Sequence, residues 1–264
     1  MTWLAAYFAA GAFVGILAGM LGIGGGMSLV PILAALFAAQ GFAPDHTVHL
    51  AVGTGMASVL ATGTASAREH HRHGAVDWGL VRVFAPGMVL GTLASALFAG
   101  IVSQRALAIA FAVIVICGAT QILSGYRPAG GGRLPGPLGT SIAGFLIGIA
   151  SGLVAAGGTF LSVPFMLFCG VALHTAIGTG AAAGVPVAVV GTIGYVASGW
   201  NVPGLPSHAI GFVHLPALAM LMLATTLTAP AGARMAHRMP VLALRRIFAG
   251  LLYLLAIKMW VTYW

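Results

Sequence analysis

Long apolar runs along this chain alternate with short polar or glycine-rich breaks. Apolar runs of about 18 residues or more are typical of transmembrane helices, and such runs recur throughout the sequence. The pattern predicts ten helical segments, five in each half of the chain. They cover residues 3–21, 27–40, 47–67, 79–101, 106–124, 138–156, 160–173, 175–199, 209–230 and 241–262. The expected fold class is an all-α polytopic membrane protein.

Two of these segments, 27–40 and 160–173, hold only about 14 residues, and each follows a cluster of glycines. At about 1.5 Å per residue, such a helix is roughly 21 Å long, which is too short for a hydrocarbon core of about 30 Å. Irregular backbone at membrane depth is tolerated only where protein or a water-filled cavity surrounds it. The sequence therefore predicts eight full spans and two tilted or re-entrant half-helices.

The two halves are joined by residues 127–133, which are rich in glycine and are typical of a flexible connector. We expect one integral membrane domain in which residues 1–126 form a first repeat, 127–137 the connector and 138–264 a second repeat. The first apolar run lacks the positively charged start of a secretory signal, so it is expected to be a mature helix.

The charges exclude several classes of protein and predict the topology. Charged residues make up only 5% of the 264 residues and hydrophobic ones 60%, whereas a soluble domain carries about 25% charge. A soluble enzyme, a nucleic-acid-binding protein and a disordered chain are therefore excluded. If the chain changes face after every segment, nine basic side chains share one face of the membrane, and Arg105 and Lys258 lie on the other. The nine are Arg68, Arg72, Arg82, Arg127, Arg133, Arg234, Arg238, Arg245 and Arg246.

This distribution satisfies the positive-inside rule with both termini in the periplasm. If each glycine-broken pair of segments crosses only once, the basic residues divide five against six and give no bias. The count of five segments in each half is therefore favoured. An odd number of segments in each half makes the two halves inverted with respect to each other.

An internal repeat supports this division. The matching stretches are 15–31 with 148–164, 49–55 with 174–180 and, more weakly, Leu107 and Phe111 with Leu244 and Phe248. Their offsets are 133, 125 and 137 residues. Three matches in the same order indicate a duplication, and inverted repeats with interrupted helices are a known layout of transporters.

The glycine clusters are the candidate binding site. Glycine lets the backbone approach a ligand closely, and each cluster is expected to open a short helix, at Met27 and at Phe160. The unpaired N–H groups and the dipole of a helix start favour an anion. Two inverted copies would aim both starts at one cavity near the middle of the membrane. The candidate substrate-binding residues are Gly24, Gly25, Gly26, Met27, Ser28, Gly53, Thr54, Gly157, Gly158, Thr159, Gly178 and Thr179.

The alternative interpretation is that these glycines only allow helices to pack closely. It is favoured for Gly15, Gly19, Gly148 and Gly152. For the diglycine clusters the ligand interpretation is favoured, because a Val-Pro pair and a short helix follow each of them.

Histidines offer further candidate chemistry. His49 and His174 occupy equivalent positions near helix starts, where they could bind an anion when protonated or relay a proton. A neutral, hydrogen-bonded histidine at the interface is the alternative. The polar segment 68–77 carries three more histidines, but it has no matching second set of ligands elsewhere. It is expected to be an inner-face connector, with no metal and no cofactor.

The chain has three carboxylates, Asp45, Glu69 and Asp77, and all lie near the ends of segments. A cation pump or a carboxylate proton relay normally places Asp or Glu within the membrane. The composition therefore favours a small anion bound by backbone N–H groups, hydroxyls and helix starts.

Seven short motifs carry a family resemblance. They are 22–31 (GIGGGMSLVP), 49–54 (HLAVGT), 74–78 (GAVDW), 163–165 (VPF), 176–179 (AIGT), 191–195 (GTIGY) and 245–248 (RRIF). These motifs resemble the sulfite exporter TauE/SafE family over about residues 11–260. The resemblance implies a bacterial inner-membrane permease, not an enzyme, for sulfite, sulfonates or related organosulfur anions. The chain departs from the family at Gly55 and Gly180, where serine is frequent, and at 155–158, where the family often repeats Gly-Ile-Gly-Gly.

The expected function is export of these anions. The expected mechanism is alternating access, in which one repeat rocks against the other. A passive anion channel of the same architecture is the alternative, and a membrane enzyme built on segment 68–77 is less favoured. The expected partners are the small anionic substrate and the lipid bilayer, without nucleic acid. A homodimer is compatible with the sequence.

Overall fold

The fold is given by a computed structural model that describes residues 2–21, 25–124, 132–236 and 241–263. Ten α-helices make up most of this described chain. They are α1 (Thr2–Leu21), α2 (Gly26–Ala39), α3 (Thr47–Arg72), α4 (Trp78–Phe98), α5 (Gln104–Ser124), α6 (Pro137–Val154), α7 (Thr159–Phe168), α8 (Leu173–Gly199), α9 (Leu215–Ala236) and α10 (Val241–Tyr263). A short hairpin, β1 (Ala209–Ile210) with β2 (Val213–His214), precedes α9. Residues 127–131 of the predicted connector lie outside the described residues.

Seven of the described helices, namely α3, α4, α5, α6, α8, α9 and α10, contain a stretch long and apolar enough to cross a membrane. Helix α1 has 20 residues, whereas α2 and α7 have 14 and 10. Large apolar side chains such as Leu90, Ile101 and Leu138 are exposed on the outside, where a soluble protein would rarely gather so many. The prediction of an all-α polytopic membrane protein is confirmed. The division into eight full spans and two half-helices stays a prediction.

Glycines let α1 pack on α9, and α4 on α6, with their backbones in contact. A β-carbon at Gly15 would lie 2.8 Å from the Cα of Thr225, and one at Gly148 would lie 2.8 Å from the Cα of Met88. Small residues permit such close approach between membrane helices. The helix-packing interpretation of Gly15 and Gly148 is therefore confirmed.

The contacts between helices form two matching sets. Helix α1 lies on α9 as α6 lies on α4, and α2 lies on α3 as α7 lies on α8. Helix α3 also touches α9 as α8 touches α4, while α3 pairs with α8 and α5 pairs with α10. Exchanging the two halves of the chain therefore reproduces its main packing pairs.

Buried apolar side chains form two cores. The larger one draws mainly on α1, α2, α3, α5, α9 and α10, and includes Phe37, Phe111 and Leu221. The smaller one draws on α4, α7 and α8, includes Phe84 and Val187, and is covered by α6. The boundary between the two cores does not follow the boundary between the two halves of the sequence.

Candidate functional site

Both short helices begin at a glycine-rich break with left-handed backbone. Gly25, immediately before α2, has a φ of 69°, and Gly157, shortly before α7, has a φ of 63°. Glycine adopts these angles without the steric cost that a β-carbon brings. Helix α2 begins at Gly26 and α7 at Thr159, each one residue earlier than predicted. Gly24 lies outside the described residues.

The two breaks lie against each other on one face of α3. A β-carbon at Gly26 would overlap the carbonyl oxygen of Ala155 and the side chain of Val59, and one at Gly157 would lie 3.0 Å from Cγ1 of the same valine. Between them, a β-carbon at Gly55 would lie 3.4 Å from the Cβ of Ala155. The structure therefore brings the two glycine clusters together.

The start of α7 also rests directly on the backbone of α8. A β-carbon at Gly158 would overlap the carbonyl oxygen of Gly180, and one at Gly184 would lie 2.7 Å from the backbone nitrogen of Gly158. No side chain fits between the two helices here. Gly158 therefore has a packing role in addition to any contact with a ligand.

Side chains at the two helix starts are buried. Met27 is 2% exposed and Thr159 is 8% exposed. Ser28 is 1% exposed, and its hydroxyl has no hydrogen-bond partner among the described residues. A buried hydroxyl without a partner costs about 1–3 kcal/mol. A polar ligand bound here would therefore supply the hydrogen-bond partner that the Ser28 hydroxyl lacks.

The backbone at both starts is also free of side-chain caps. The cap positions are held by Gly25 and Gly158, and neither residue supplies a side-chain acceptor. The Ser162 hydroxyl on α7 donates to the carbonyl of the cap residue Gly158. The Ser28 N–H already donates to the Gly25 carbonyl. Because the first N–H groups of an α-helix have no acceptor within it, the N–H groups of Gly26 and Met27, and those at the start of α7, are the candidate donors to an anion.

Ser151, near the end of α6, was not foreseen from the sequence. It is 1% exposed, and its hydroxyl has no partner within the described chain. Its carbonyl closes the helix by accepting from the N–H groups of Ala155 and Ala156. The available signal was a serine within the apolar second half of α6, six residues ahead of Gly157.

The Gly-Thr pair on α3 docks the segment that leads into α9. The Thr54 hydroxyl oxygen accepts the N–H of His214 at 3.0 Å. A β-carbon at the neighbouring Gly53 would overlap the carbonyl oxygen of Phe212. This pair therefore joins the first half of the chain to the second.

The Gly-Thr pair on α8 makes the equivalent contact with the segment that leads into α4. The Thr179 hydroxyl oxygen accepts the N–H of Asp77 at 3.0 Å, and a β-carbon at Gly178 would lie 2.8 Å from the carbonyl carbon of Ala75. Both threonines are fully buried. Segments 75–77 and 212–214 are 137 residues apart, which is also the offset between Leu107 and Leu244 in the third sequence match. This common spacing is the sequence feature from which the equivalent contacts could be predicted.

The two equivalent histidines have different surroundings. His49 is 2% exposed, and its Nε2 lies 3.0 Å from the carbonyl oxygens of Ala99 and Val102. Because carbonyls only accept, Nε2–H is the donor. Its Nδ1 has no partner in the described ranges. His174 is exposed at the start of α8. The role of either residue as a proton or anion relay stays a prediction.

The polar segment 68–77 lies at the end of α3 and leads into α4. Arg72 and His73 lie 3.8 Å and 3.5 Å from the carboxylate of Glu69, and all three side chains are exposed. Within the part of the chain that the structure describes, no group of three or more His, Cys, Asp or Glu side chains is arranged to hold a metal ion.

Comparison with known proteins identifies the family. The sequence profile of the family "Sulfite exporter TauE/SafE" matches residues 7–259. The chain belongs to this family. No solved structure matches the TauE/SafE protein described here.

Relatives of this TauE/SafE protein carry transporter names. A "Probable membrane transporter protein" of Haemophilus influenzae is 34% identical over 250 residues, covering 94% of this chain and 95% of the relative. "Probable membrane transporter protein YdhB" of Bacillus subtilis is 25% identical and covers 88% and 90%. A "Probable membrane transporter protein" of Xylella fastidiosa is 29% identical and covers 70% and 69%. The protein is therefore a membrane transporter, and its relatives are named as transporters rather than enzymes.

The fourth helix of each half of this TauE/SafE protein is capped in the same way. The Asp77 carboxylate accepts the N–H of Leu80 at 3.0 Å, and Nδ1 of His214 accepts the N–H of Ala217 at 3.3 Å. An accepting Nδ1 requires a neutral imidazole ring. Burial, with a smaller contribution from the charge of His208, lowers the pKa of His214 to about 4.

We expect the stability of this TauE/SafE protein to fall as the pH drops from 6.5 to about 4, the ordinary and the lowered pKa of His214. In that pH window His214 is protonated in the unfolded chain but stays neutral in the folded protein. The free energy of unfolding therefore falls by about 1.4 kcal/mol for each pH unit. Thermal unfolding in detergent, followed by circular dichroism, measures the loss. His214→Asn, which caps without titrating, should flatten the pH dependence, whereas Thr226→Ala, at an exposed hydroxyl away from this cap, should not. An unchanged slope in His214→Asn would contradict this assignment.

Proposed function

We propose that this protein carries small sulfur-containing anions, such as sulfite, sulfonates or related organosulfur anions, across the bacterial inner membrane. It works as an exporter by alternating access, and the anion is held between the starts of α2 and α7. The observation that carries the proposal is the meeting of the two glycine breaks, with Gly26 against Ala155. The family name supports the choice of a sulfur anion.

The chemistry of this meeting point suits an anion. Two helix starts contribute N–H groups and partial positive charge, and the buried Ser28 hydroxyl is free to donate to an anion oxygen. The three carboxylates of the chain lie at helix ends: Asp45 in the turn before α3, Glu69 in the last turn of α3 and Asp77 at the cap of α4. An anion between the short helices would therefore not be repelled by a neighbouring carboxylate of the chain.

The packing also supports two inverted repeats. The Phe212 N–H donates to the carbonyl of Tyr195, near the end of α8, while the His214 N–H donates to Thr54, near the start of α3. Segment 75–77 makes the corresponding pair of bonds at the other ends of the same two helices. Helices α3 and α8 thus run antiparallel, as equivalent helices of inverted repeats must. We place both termini in the periplasm on the strength of the charge distribution.

A carrier is favoured over a passive channel of the same architecture. Residues 26–31 and 154–160, which form the two breaks and helix starts, are all buried. A channel needs a continuous water-filled path past its binding site, whereas a carrier passes through a closed state. The tight contact between the two breaks suits a closed state of this kind.

Flux measurements in proteoliposomes test the proposal. We expect saturable uptake of labelled sulfite or of a simple sulfonate, with counterflow. Ser28→Ala should raise the half-saturation concentration at least tenfold, because it removes one hydrogen bond to a charged group, worth about 1.5–3 kcal/mol.

Thr226→Ala is the matched control, since this exposed hydroxyl donates to the Met222 carbonyl of its own helix. It should leave the half-saturation concentration unchanged. Flux that rises linearly without counterflow would favour the channel, and no flux of any sulfur anion would refute the substrate class.

A further inference from the structure

We propose that the moving units of this transporter are two mixed bundles, each made of three helices from one half and the fourth helix of the other half. The first bundle comprises α1, α2, α3 and α9, and the second comprises α6, α7, α8 and α4. This inference rests on the proposed alternating access, and it replaces motion of one repeat against the other. Helices α5 and α10 pack on each other, with a hydrogen bond of 2.6 Å between Thr120 and Tyr253.

Hydrogen bonds and an apolar core hold the second bundle together. The Thr92 hydroxyl on α4 donates to the Gly148 carbonyl on α6 at 2.9 Å. The Tyr195 hydroxyl on α8 donates to the Gly152 carbonyl on α6 at 3.0 Å. The buried members of the smaller core that the structure describes all come from α4, α7 and α8. They are Leu80, Phe84, Ala85, Met88, Met166, Ala176, Ala183 and Val187.

The first bundle is joined in the same manner. A β-carbon at Gly232 on α9 would lie 2.7 Å from the carbonyl carbon of Ile16 on α1. Gln40, which ends α2, donates its side-chain N–H to the Tyr7 hydroxyl on α1 at 2.5 Å. The ring of His214, at the start of α9, packs against the ring of Tyr7 with 5.8 Å between centroids. Helix α9 is therefore anchored to helices of the opposite half.

The two buried threonines act as positioning residues for the exchanged helices. Thr54 holds the start of α9 on α3, and Thr179 holds the start of α4 on α8, each through a hydrogen bond of 3.0 Å. Each fourth helix is thus fixed to the third helix of the bundle that it joins. This arrangement accounts for a Gly-Thr pair at the same place in both halves.

The face between the bundles is formed mainly by α3 against α8, together with the two glycine breaks. A β-carbon at Gly191 on α8 would lie 3.0 Å from the Cγ of Met56 on α3. Motion of one repeat against the other would instead separate α1 from α9 and α4 from α6, whose backbones touch. Motion between bundles keeps those seams closed and opens the face where Gly26 meets Ala155. The hairpin contact on α8, where the Phe212 N–H donates to the Tyr195 carbonyl, also crosses between the bundles and serves as their pivot.

Two cysteine pairs with the same geometry distinguish the two motions. Ser95→Cys with Gly152→Cys joins α4 to α6, which belong to different repeats but to one bundle. Gly55→Cys with Ala155→Cys joins the two bundles. In each pair the β-carbons would be 3.4 Å apart, close to the range of about 3.5–4.5 Å found in disulfides. The background variant carries alanine at both native cysteines, which are free.

We expect the oxidised pair at 95 and 152 to keep at least half of the flux of its reduced form. The oxidised pair at 55 and 155 should lose more than tenfold and recover with reductant. Flux blocked by the first pair, or full flux through the second, would overturn the division into bundles. If the first variant does not fold, Gly100→Cys with Ser198→Cys, whose β-carbons would be 3.5 Å apart, makes the same comparison.

Spin-label distances test the division without any flux, so it can fail separately from the proposed substrate. Phe13 on α1, Leu223 on α9 and Val189 on α8 are exposed and suit labelling. In liposomes, labels at 13 and 223 should give one narrow distance, and labels at 13 and 189 should give at least two. Two distances for the first pair, or one for the second, would overturn the inference even if the wild-type protein carries no sulfur anion.

Discussion

Gly26→Val is expected to reduce transport more than tenfold while the protein remains folded. The new β-carbon would overlap the Ala155 carbonyl oxygen and the side chain of Val59, and the two further methyl groups would push the breaks farther apart. Overpacking of this kind costs about 1–3 kcal/mol, which a protein of this size tolerates. The start of α2 would no longer face the start of α7 across a site of the right width. Counterflow of labelled sulfite in proteoliposomes measures the loss.

Gly250→Val on α10 is the matched control for this prediction. Among the described residues, no atom beyond its chain and helix neighbours lies within 4 Å of a β-carbon built there, so the same substitution meets open space. It should preserve both transport and thermal stability. Wild-type flux in Gly26→Val would mean that the contact between the two breaks has no part in transport.

Gly91→Leu is expected to prevent stable folding. A β-carbon at this position would overlap the Phe145 carbonyl oxygen and lie 2.9 Å from the backbone nitrogen of Ile149, so α4 and α6 would have to separate. Their separation would break the hydrogen bond from Thr92 to α6 and open the smaller apolar core. Together these losses amount to roughly 3 kcal/mol or more.

The measurement is the fraction of detergent-extracted protein that elutes as a single symmetric peak, together with its melting temperature. Gly250→Leu is the control, because it adds the same side chain on α10 at a position where no neighbouring residue is displaced. We expect the control to behave as wild type and Gly91→Leu to aggregate. A monodisperse Gly91→Leu protein with an unchanged melting temperature would show that the two helices do not rely on backbone contact.

Hydrophobic pattern and glycine position predicted most of the helices, because both act locally along the chain. The errors lie where local pattern is ambiguous. Residues 209–214 are mostly apolar, so the pattern predicts that they belong to the ninth helical segment, yet they form a hairpin before α9. Helix α7 ends at Phe168, ahead of its predicted end, and Gly170 follows it with a φ of 83°.

The candidate site was predictable only in part. The two glycine breaks are evident from the sequence because glycines cluster there. Their match at one constant offset along the chain indicates that the two breaks act together. The docking of Thr54 on His214 was not foreseen because its partner lies 160 residues away. Burial separates His49 from His174, although the two occupy the same place in the repeat. Side-chain environment depends on the neighbouring helix, and single-sequence patterns carry little information about that neighbour.

The pairing of α1 with α9 has a consequence for biosynthesis. Helix α1 must wait in the bilayer, with its glycine-lined side facing lipid, until α9 has been made. Helices α4 and α6 meet much earlier, so the second bundle can assemble while the first still lacks a member. An isolated half would lack the partner of its first helix altogether.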